Sequence, residues 1–425
     1  MTGGVTEWPA ARPRLAVVTL LLASPWTPLL AQGPATAFEQ RGFIENRGLA
    51  FPWDARNDSA NVMDQALFRW EGSYRAAPWF KLSGSLDARA DTHRQTDRDA
   101  RVSVDDRQMQ RPALALRQLS ATLHKGMVTA EIGRQFIRWG KTDILTPTDR
   151  FAPKDYLGSV VDSDFLGVTA ARVTVTKGGD SVDLVWQPWF TPSRTPLLNQ
   201  RWTVLPPEAN GIRIIDAGAR YPGGSQFGAR WNHIASGFEY SLSYFRGYHS
   251  LPLFDGRFDP AAFTIRTQRF YPTLEMYGAD AAVQLPWVTI KGESGYFKTT
   301  TPGAQEYLLY VIQVERQVKE WSLVGGYAGN VLTNGPENPA QFAPDRGFAR
   351  SFVGRAALTI DVNRSVAVET AIRANGSFAR FEYSQAIGLH WRVTPGVAWL
   401  RGAAGDFLGQ YRRNSYASLA VRYSF

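Results

Sequence analysis

From Phe38 onward, apolar and polar side chains alternate over stretches of about ten residues, the period of a strand whose two faces meet different surroundings. Phe80, Leu82, Gly84, Leu86 and Ala88 lie on one face of such a stretch, and Lys81, Ser83, Ser85, Asp87 and Arg89 on the other. Leu308, Tyr310, Ile312 and Val314 divide in the same way from Gln313, Glu315 and Gln317, as do Val366, Val368, Thr370 and Ile372 from Glu369, Arg373 and Asn375. Helical spacing explains none of them. The pattern predicts strands near 36–47, 65–76, 79–92, 112–124, 127–138, 166–177, 180–190, 226–235, 237–247, 271–285, 287–299, 306–318, 320–331, 350–362, 365–375, 378–391, 396–405 and 411–425. That makes eighteen, or sixteen if one hairpin is lost.

The connections alternate between short and long for most of the chain. Ala77-Pro78, Lys125-Gly126, Gly178-Gly179, Ser236-Gly237, Pro286, Lys319-Glu320, Asn363-Arg364 and Thr394-Pro395 read as tight turns on one side. Segments 48–64, 93–111, 139–165, 191–225, 248–270 and 332–349 read as long loops on the other, while 300–305, 406–410 and Gly376-Ser377 are shorter. This rhythm predicts an all-β fold, an up-and-down antiparallel transmembrane β-barrel with short periplasmic turns and long outer loops. Trp79, Trp287, Trp321 and Trp391 beside short turns, with Trp70, Tyr244, Tyr296, Tyr327 and Phe381 nearer the loops, supply two interfacial girdles. In the last stretch Ala417, Leu419, Val421, Tyr423 and Phe425 alternate with polar or small residues. Tyr423 and the final Phe425 resemble the signal that barrel-assembly machinery reads.

Residues 1–31 carry Arg12 and Arg14, an apolar run from Leu15 to Ala23 and a small residue at Ala31. These are the parts of a secretory signal peptide, leaving 32–425 as a single barrel in the outer membrane of a Gram-negative-type cell. The interval before the first strand is too short for a plug of the TonB-dependent kind.

Three stretches carry a family resemblance: Phe38 to Arg47, Gly133-Arg134-Gln135-Phe136-Ile137-Arg138-Trp139-Gly140-Lys141 continuing through Pro147 and Pro153, and Val185-Trp186-Gln187-Pro188-Trp189-Phe190-Thr191-Pro192 with Pro196. In these the chain resembles a Gram-negative outer-membrane β-barrel family of undefined function, distantly similar to alginate-export and porin-type channels. The resemblance implies a large outer-membrane channel, with an eighteen-stranded precedent among export-type members. It names no substrate.

Composition narrows the chemistry. The absence of Cys removes thiol catalysis, Cys-ligated zinc, iron–sulfur clusters and disulfides. His93, His124, His233, His249 and His390 are scattered without ligand spacing, so no metal site and no cofactor is expected. No phosphate-binding glycine loop, dinucleotide fingerprint or serine elbow occurs, and the chain is not expected to be an enzyme. His93 with Asp91 is the one candidate dyad for a barrel-embedded hydrolase. Asp97, Asp99, Asp105 and Asp106 have Arg98 and Arg101 among them, which favours a solvated loop over a calcium site.

The 47 cations, of which 39 are Arg, exceed the 38 acids and give a formal charge of +9. With the apolar face on lipid, the polar face lines a lumen holding Arg69, Lys81, Arg89, Arg230, Lys291, Glu293, Arg355, Glu369, Arg373, Arg380 and Glu382. Arg355, Arg373 and Arg380 fall on consecutive strands as a candidate positive ladder, and Arg suits oxyanions through its planar fork. The same arginines also suit pairing with lumenal Glu across the wall. The Pro-rigidified segment with Arg138, Lys141, Asp143, Asp149, Arg150 and Lys154 is a candidate constriction loop, or else a cap on the outer surface. These features predict a porin-like channel for passive passage of small or extended hydrophilic solutes, with anions a candidate class. Alternatives are a barrel-embedded hydrolase and a secretion or adhesion scaffold. The expected partners are outer-membrane lipid and lipopolysaccharide, the assembly machinery and hydrophilic solutes, without nucleic acid; monomer and trimer stay open.

Overall fold

The computed structural model describes residues 37–425 apart from 103, 206–208, 210 and 335–341. The signal-peptide expectation for 1–31 lies outside the described residues. Eighteen antiparallel strands form the wall. They are β1 Phe38–Ala50, β2 Val62–Ala77, β3 Phe80–Asp91, β4 Leu114–Lys125, β5 Val128–Gln135, β6 Val168–Lys177, β7 Asp180–Gln187, β8 Gln226–Ala235 and β9 Phe238–Tyr248, then β10 Thr273–Gln284, β11 Thr289–Lys298, β12 Tyr307–Val318, β13 Trp321–Leu332, β14 Ser351–Asp361, β15 Arg364–Ile372, β16 Gly376–Ile387, β17 Trp391–Gly402 and β18 Tyr416–Ser424. Each pairs with its sequence neighbours, and β1 pairs with β18 from Phe43↔Ser424 to Ala50↔Ala417. Closure leaves no edge, so wall backbone groups find partners without water.

The wall is inverted relative to a water-soluble domain. On β7, Val182, Leu184 and Trp186 are 40%, 51% and 47% exposed, whereas Asp183, Val185 and Gln187 between them are at most 6% exposed. Large apolar residues thus face outward all round the cylinder, the distribution that hydrocarbon and not water selects. Trp79, Trp287, Trp321 and Trp391 are exposed beside short turns. Tyr244, Tyr277 and Tyr296 stand in register across β9, β10 and β11 near the long-loop end. The chain closes on its last residue: Phe425 exchanges two 3.0 Å backbone hydrogen bonds with Gly42, its ring lies over Gly42, where a Cβ would come within 2.5 Å, and it stacks on Phe68 at 6.2 Å.

Three boundaries differ from the sequence reading. The turn expected at Thr394-Pro395 lies at residues 388–390, where Gly388 takes a left-handed φ of +63°. Pro395 sits inside β17, opposite a gap where β16–β17 pairing passes from Glu382↔Gly396 to Gln385↔Val393. A residue without an N–H is tolerated at such a gap. The last strand starts at Tyr416 because Gly409–Asn414 forms a 3-10 turn. Arg373 leaves the wall, since the hairpin occupies 373–375 and β16 already begins at Gly376. The long connections also hold a small sheet of their own, Arg213–Arg220, Leu253–Asp259 and Thr264–Phe270.

Candidate functional site

The connection between β5 and β6, residues 136–167, packs on the inner face of the wall. Ile137, Trp139, Leu145 and Phe151 join Val185, Phe245, Met276, Phe297, Leu309 and Val311 in one buried apolar cluster. Trp139 donates its indole N–H to Asp183 at 2.9 Å, and Phe151 packs edge-on against both Trp139 and Phe245. Glycine makes the room: a Cβ at Gly228 would lie 2.5 Å from both Phe151 and Trp139, and one at Gly278 would lie 2.8 Å from Thr148.

The tip of this loop is organised on one wall carboxylate. Glu293, 2% exposed, accepts from the backbone N–H groups of Lys141 (2.8 Å), Thr142 (3.0 Å) and Thr148 (2.8 Å), and from the hydroxyls of Thr142 (2.9 Å) and Thr148 (2.8 Å). A buried carboxylate repays its desolvation only when its lone pairs are satisfied in this way. Lys141 Nζ reaches Glu239 at 2.9 Å and Asp280 at 3.2 Å, and Asp280 also holds Arg230 at 3.0 Å. Asp143 exchanges hydrogen bonds with Gln313 at 3.0 and 2.6 Å, while Lys291 bridges Glu315 (2.5 Å) and Asp143 (3.7 Å). Burial pushes the Asp143 carboxyl up, yet its contacts with Glu315, Gln313 and Lys291 hold it below its ordinary range. Asp149 accepts from the N–H groups of Trp139 (2.5 Å) and Gly140 (2.6 Å) and pairs with Arg138 at 3.3 Å. Arg150 lies over the Phe297 ring and 3.6 Å from Asp345; Lys154 and Arg138 both lie over Phe165. Burial pulls the Lys154 ammonium down.

The returning half of the loop is held by charge. Asp155 sits between Arg111 (2.7 Å) and Arg194 (3.2 Å), and Arg194 and Arg134 share Asp106 at 2.5 and 2.8 Å. Asp162 pairs with Arg47 of β1 at 3.2 Å and Arg380 of β16 at 3.1 Å. Burial opposes ionisation of Asp155 and Asp162, but the flanking guanidiniums keep both carboxyls below their usual range. These two sets of pairs tie three loops to one another and to the wall at β5, β1 and β16.

What stays open is an interior cavity of about 610 Å3 between the loop, at Asp143, Lys154 and Asp162, and the wall, at Lys291, Glu315, Arg355, Glu369 and Arg380. A second cavity of about 130 Å3 lies across Asp162, beside Arg47, Arg89 and Arg111. Arg355 (3.3 Å) and Arg380 (2.6 Å) both pair with Glu369, while Glu382 stands opposite Ala367 and Gly396. Arg373, placed in the ladder by the sequence reading, instead binds Asp406 at 3.1 Å and the Gly347 carbonyl at 2.9 Å from its hairpin at the long-loop end. Farther round the wall, on β2 and β3, Arg69 grips Asp87 through two bonds of 2.7 and 2.9 Å, and Arg89 reaches the same carboxylate at 2.8 Å. Lys81 stands opposite Arg75 near the short-turn end. Arg117, which the sequence reading did not single out, adds a third cation on three successive strands beside Arg69 and Arg89; its ring partner is Phe136 at 4.3 Å. Tyr423 tilts against Trp391 at 5.1 Å.

The candidate dyad does not form. His93 Nε2 lies 2.7 Å from Asp58, and Asp91 accepts the backbone N–H of His93. Among the described residues no group of three or more His, Cys, Asp or Glu is arranged to hold a metal ion, and Asp99 is bound by Arg101 and Asp105 by Arg107.

No protein-family model matches the chain, and no curated protein matches it. Solved structures match in fold: OccAB4 of Acinetobacter baumannii has a TM-score of 0.53 over 92% of this chain and 98% of its own, at 9% identity. A BenF-like porin from Pseudomonas fluorescens Pf-5 gives 0.52 over 92% and 99% at 8% identity, and Pseudomonas aeruginosa OpdQ gives 0.51 over 91% and 98% at 11%. The fold shared with them is the closed, eighteen-stranded antiparallel barrel. At these identities the likeness is one of fold, so the function of this chain rests on its own residues.

Proposed function

We propose that the chain is a passive outer-membrane channel for small hydrophilic solutes, narrowed by residues 136–167. The observation that carries this reading is a loop bonded to the inside of a barrel whose outer face is apolar and whose remaining interior cavity is lined by Asp143, Lys154, Lys291, Glu315, Arg355, Glu369 and Arg380. A solute crossing such a space exchanges water for charged groups of both signs, which favours polar and zwitterionic cargo over apolar cargo. An anion bias rests on two arginine groups, Arg355 and Arg380 sharing Glu369, and Arg69, Arg89 and Arg117 with Asp87 and Glu71 near them, since in each the arginines outnumber the acids by one. Residence in the outer membrane, contact with its lipid and lipopolysaccharide, and delivery by assembly machinery that reads Tyr423 and Phe425 belong to the same proposal. Against the hydrolase alternative stands the candidate dyad itself, since the His93 ring lies against Asp58 while Asp91 takes the His93 backbone N–H.

Liposome swelling with the purified protein tests the proposal. Neutral and zwitterionic solutes of the size of small sugars and amino acids should enter at rates falling with solute size. Liposomes holding correctly folded barrel that stay impermeable to all of them would overturn it.

A further inference from the structure

The long-loop end carries a second concavity of different chemistry. Strand Thr264–Phe270 pairs antiparallel with Leu253–Asp259 and parallel with Arg213–Arg220. This small sheet borders a cavity of about 450 Å3 lined by Leu198, Val204, Ile214, Leu253, Phe254 and Phe270. Trp202, 1% exposed, forms part of its wall and also part of the wall of the 130 Å3 interior cavity beside Asp162. Apolar surface gathered into a concavity of this size on loops facing water is unfavourable unless an apolar group fills it, and the volume suits a small organic molecule. Besides Thr195, Thr203 and Thr267, one charged pair interrupts the lining. Arg269, 7% exposed, lies 3.4 Å from Asp216, and both residues line the cavity. Side by side, guanidinium and carboxylate offer a donor and an acceptor without net charge. A head group that both donates and accepts, such as a hydroxyl, complements both members, whereas a carboxylate can use only Arg269, has no proton to give Asp216 and is repelled by it.

We propose that this cavity binds a small uncharged amphiphile, an aromatic or aliphatic alcohol or phenol, with its apolar body against Leu198, Ile214 and Phe254 and its hydroxyl at the Arg269–Asp216 pair. The site is independent of the channel proposal, since it is read by binding and not by conductance. The test is titration of the full chain in lipid nanodiscs with 1-naphthol and with 1-naphthoate at neutral pH, empty nanodiscs being subtracted. Naphthol should bind saturably, one per barrel, and naphthoate at least about ten-fold more weakly, the factor expected when one head-group contact turns repulsive. Ile214→Trp and Leu198→Trp, each placing an indole against the apolar lining where the body of the ligand would lie, should each weaken naphthol by about ten-fold or more while the conductance of the barrel is retained. No saturable naphthol binding above empty nanodiscs overturns the site, and so does unchanged affinity in a folded variant. Equal affinity for naphthoate overturns the uncharged head group. Should Ile214→Trp fail to fold, Leu198→Trp decides.

Discussion

Replacing Glu293 should release the tip of the interior loop without opening the barrel. Its two oxygens accept five donors from Lys141, Thr142 and Thr148. In Glu293→Ala the hydroxyls can turn elsewhere, and the Thr142 hydroxyl has the Leu145 carbonyl 2.6 Å away as the other acceptor for its one proton. The backbone N–H groups of Lys141, Thr142 and Thr148 cannot turn, and leaving three such groups unpaired costs about 1–3 kcal/mol each, roughly 3–9 kcal/mol together. Moving the tip into water relieves that cost, because the ends of the loop stay held by Trp139 on Asp183 and by Asp155 between Arg111 and Arg194. Glu293→Gln has one oxygen left and must turn its amide N–H2 toward one of the two donor groups, so its effect is intermediate. Both variants lose the same charge, which separates loop release from electrostatics. In planar bilayers at fixed voltage, single-channel conductance and open-channel noise should rise in the order wild type, Gln, Ala, with SDS resistance at room temperature retained. Equal conductance and noise in wild type and folded Glu293→Ala would refute the reasoning.

Gly228→Val should expel the loop from the other side, because its side chain would overlap Phe151 and Trp139; conductance should rise while the barrel remains heat-modifiable. Arg355→Gln with Arg380→Gln leaves Glu369 uncompensated, so the anion-to-cation permeability ratio should fall, as reversal potentials in a salt gradient will record. Deleting Phe425 removes the Gly42 bonds and the ring over the seam and should slow membrane assembly, measured as the rate at which the SDS-resistant form appears. Asp155 and Asp162 ionise below their ordinary range in the folded loop, so the stability they give is complete above the unfolded value of about 3.9 and is lost only as pH falls through the lowered values. Conductance should therefore stay level from neutral pH to about 4 and rise only below it; a rise between pH 6 and 5 would contradict the assignment.

The wall was legible because lipid and lumen impose opposite demands on alternate residues, and that demand is written locally. Phe80 to Arg89 shows it without any neighbour. Turn positions were legible where glycine or charge broke the pattern, and misread where proline stood inside a strand: Pro395 looked like a turn, while Gly388 was the residue with left-handed backbone. The same shift at 373–375 carried Arg373 out of the wall. The direction of the 139–165 segment was not legible, since length, proline and charge are the same for a cap and for an inward loop. What decides it lies far along the chain, in Glu293, Asp280 and the bare Gly228. Pairing across the wall was open to the sequence, and Arg355 and Arg380 meet Glu369 on the strand between them; the partners Asp162 and Asp155 were not legible, because they come from that loop and not from adjacent strands.

The most direct measurement is the conductance of the wild-type protein in planar bilayers. A barrel of eighteen strands narrowed by an interior loop predicts discrete, stepwise insertions of uniform small conductance that persist over time. Folded, inserted protein that leaves the bilayer electrically silent would contradict the account, and so would steps as large as those of the loop-released Glu293→Ala barrel.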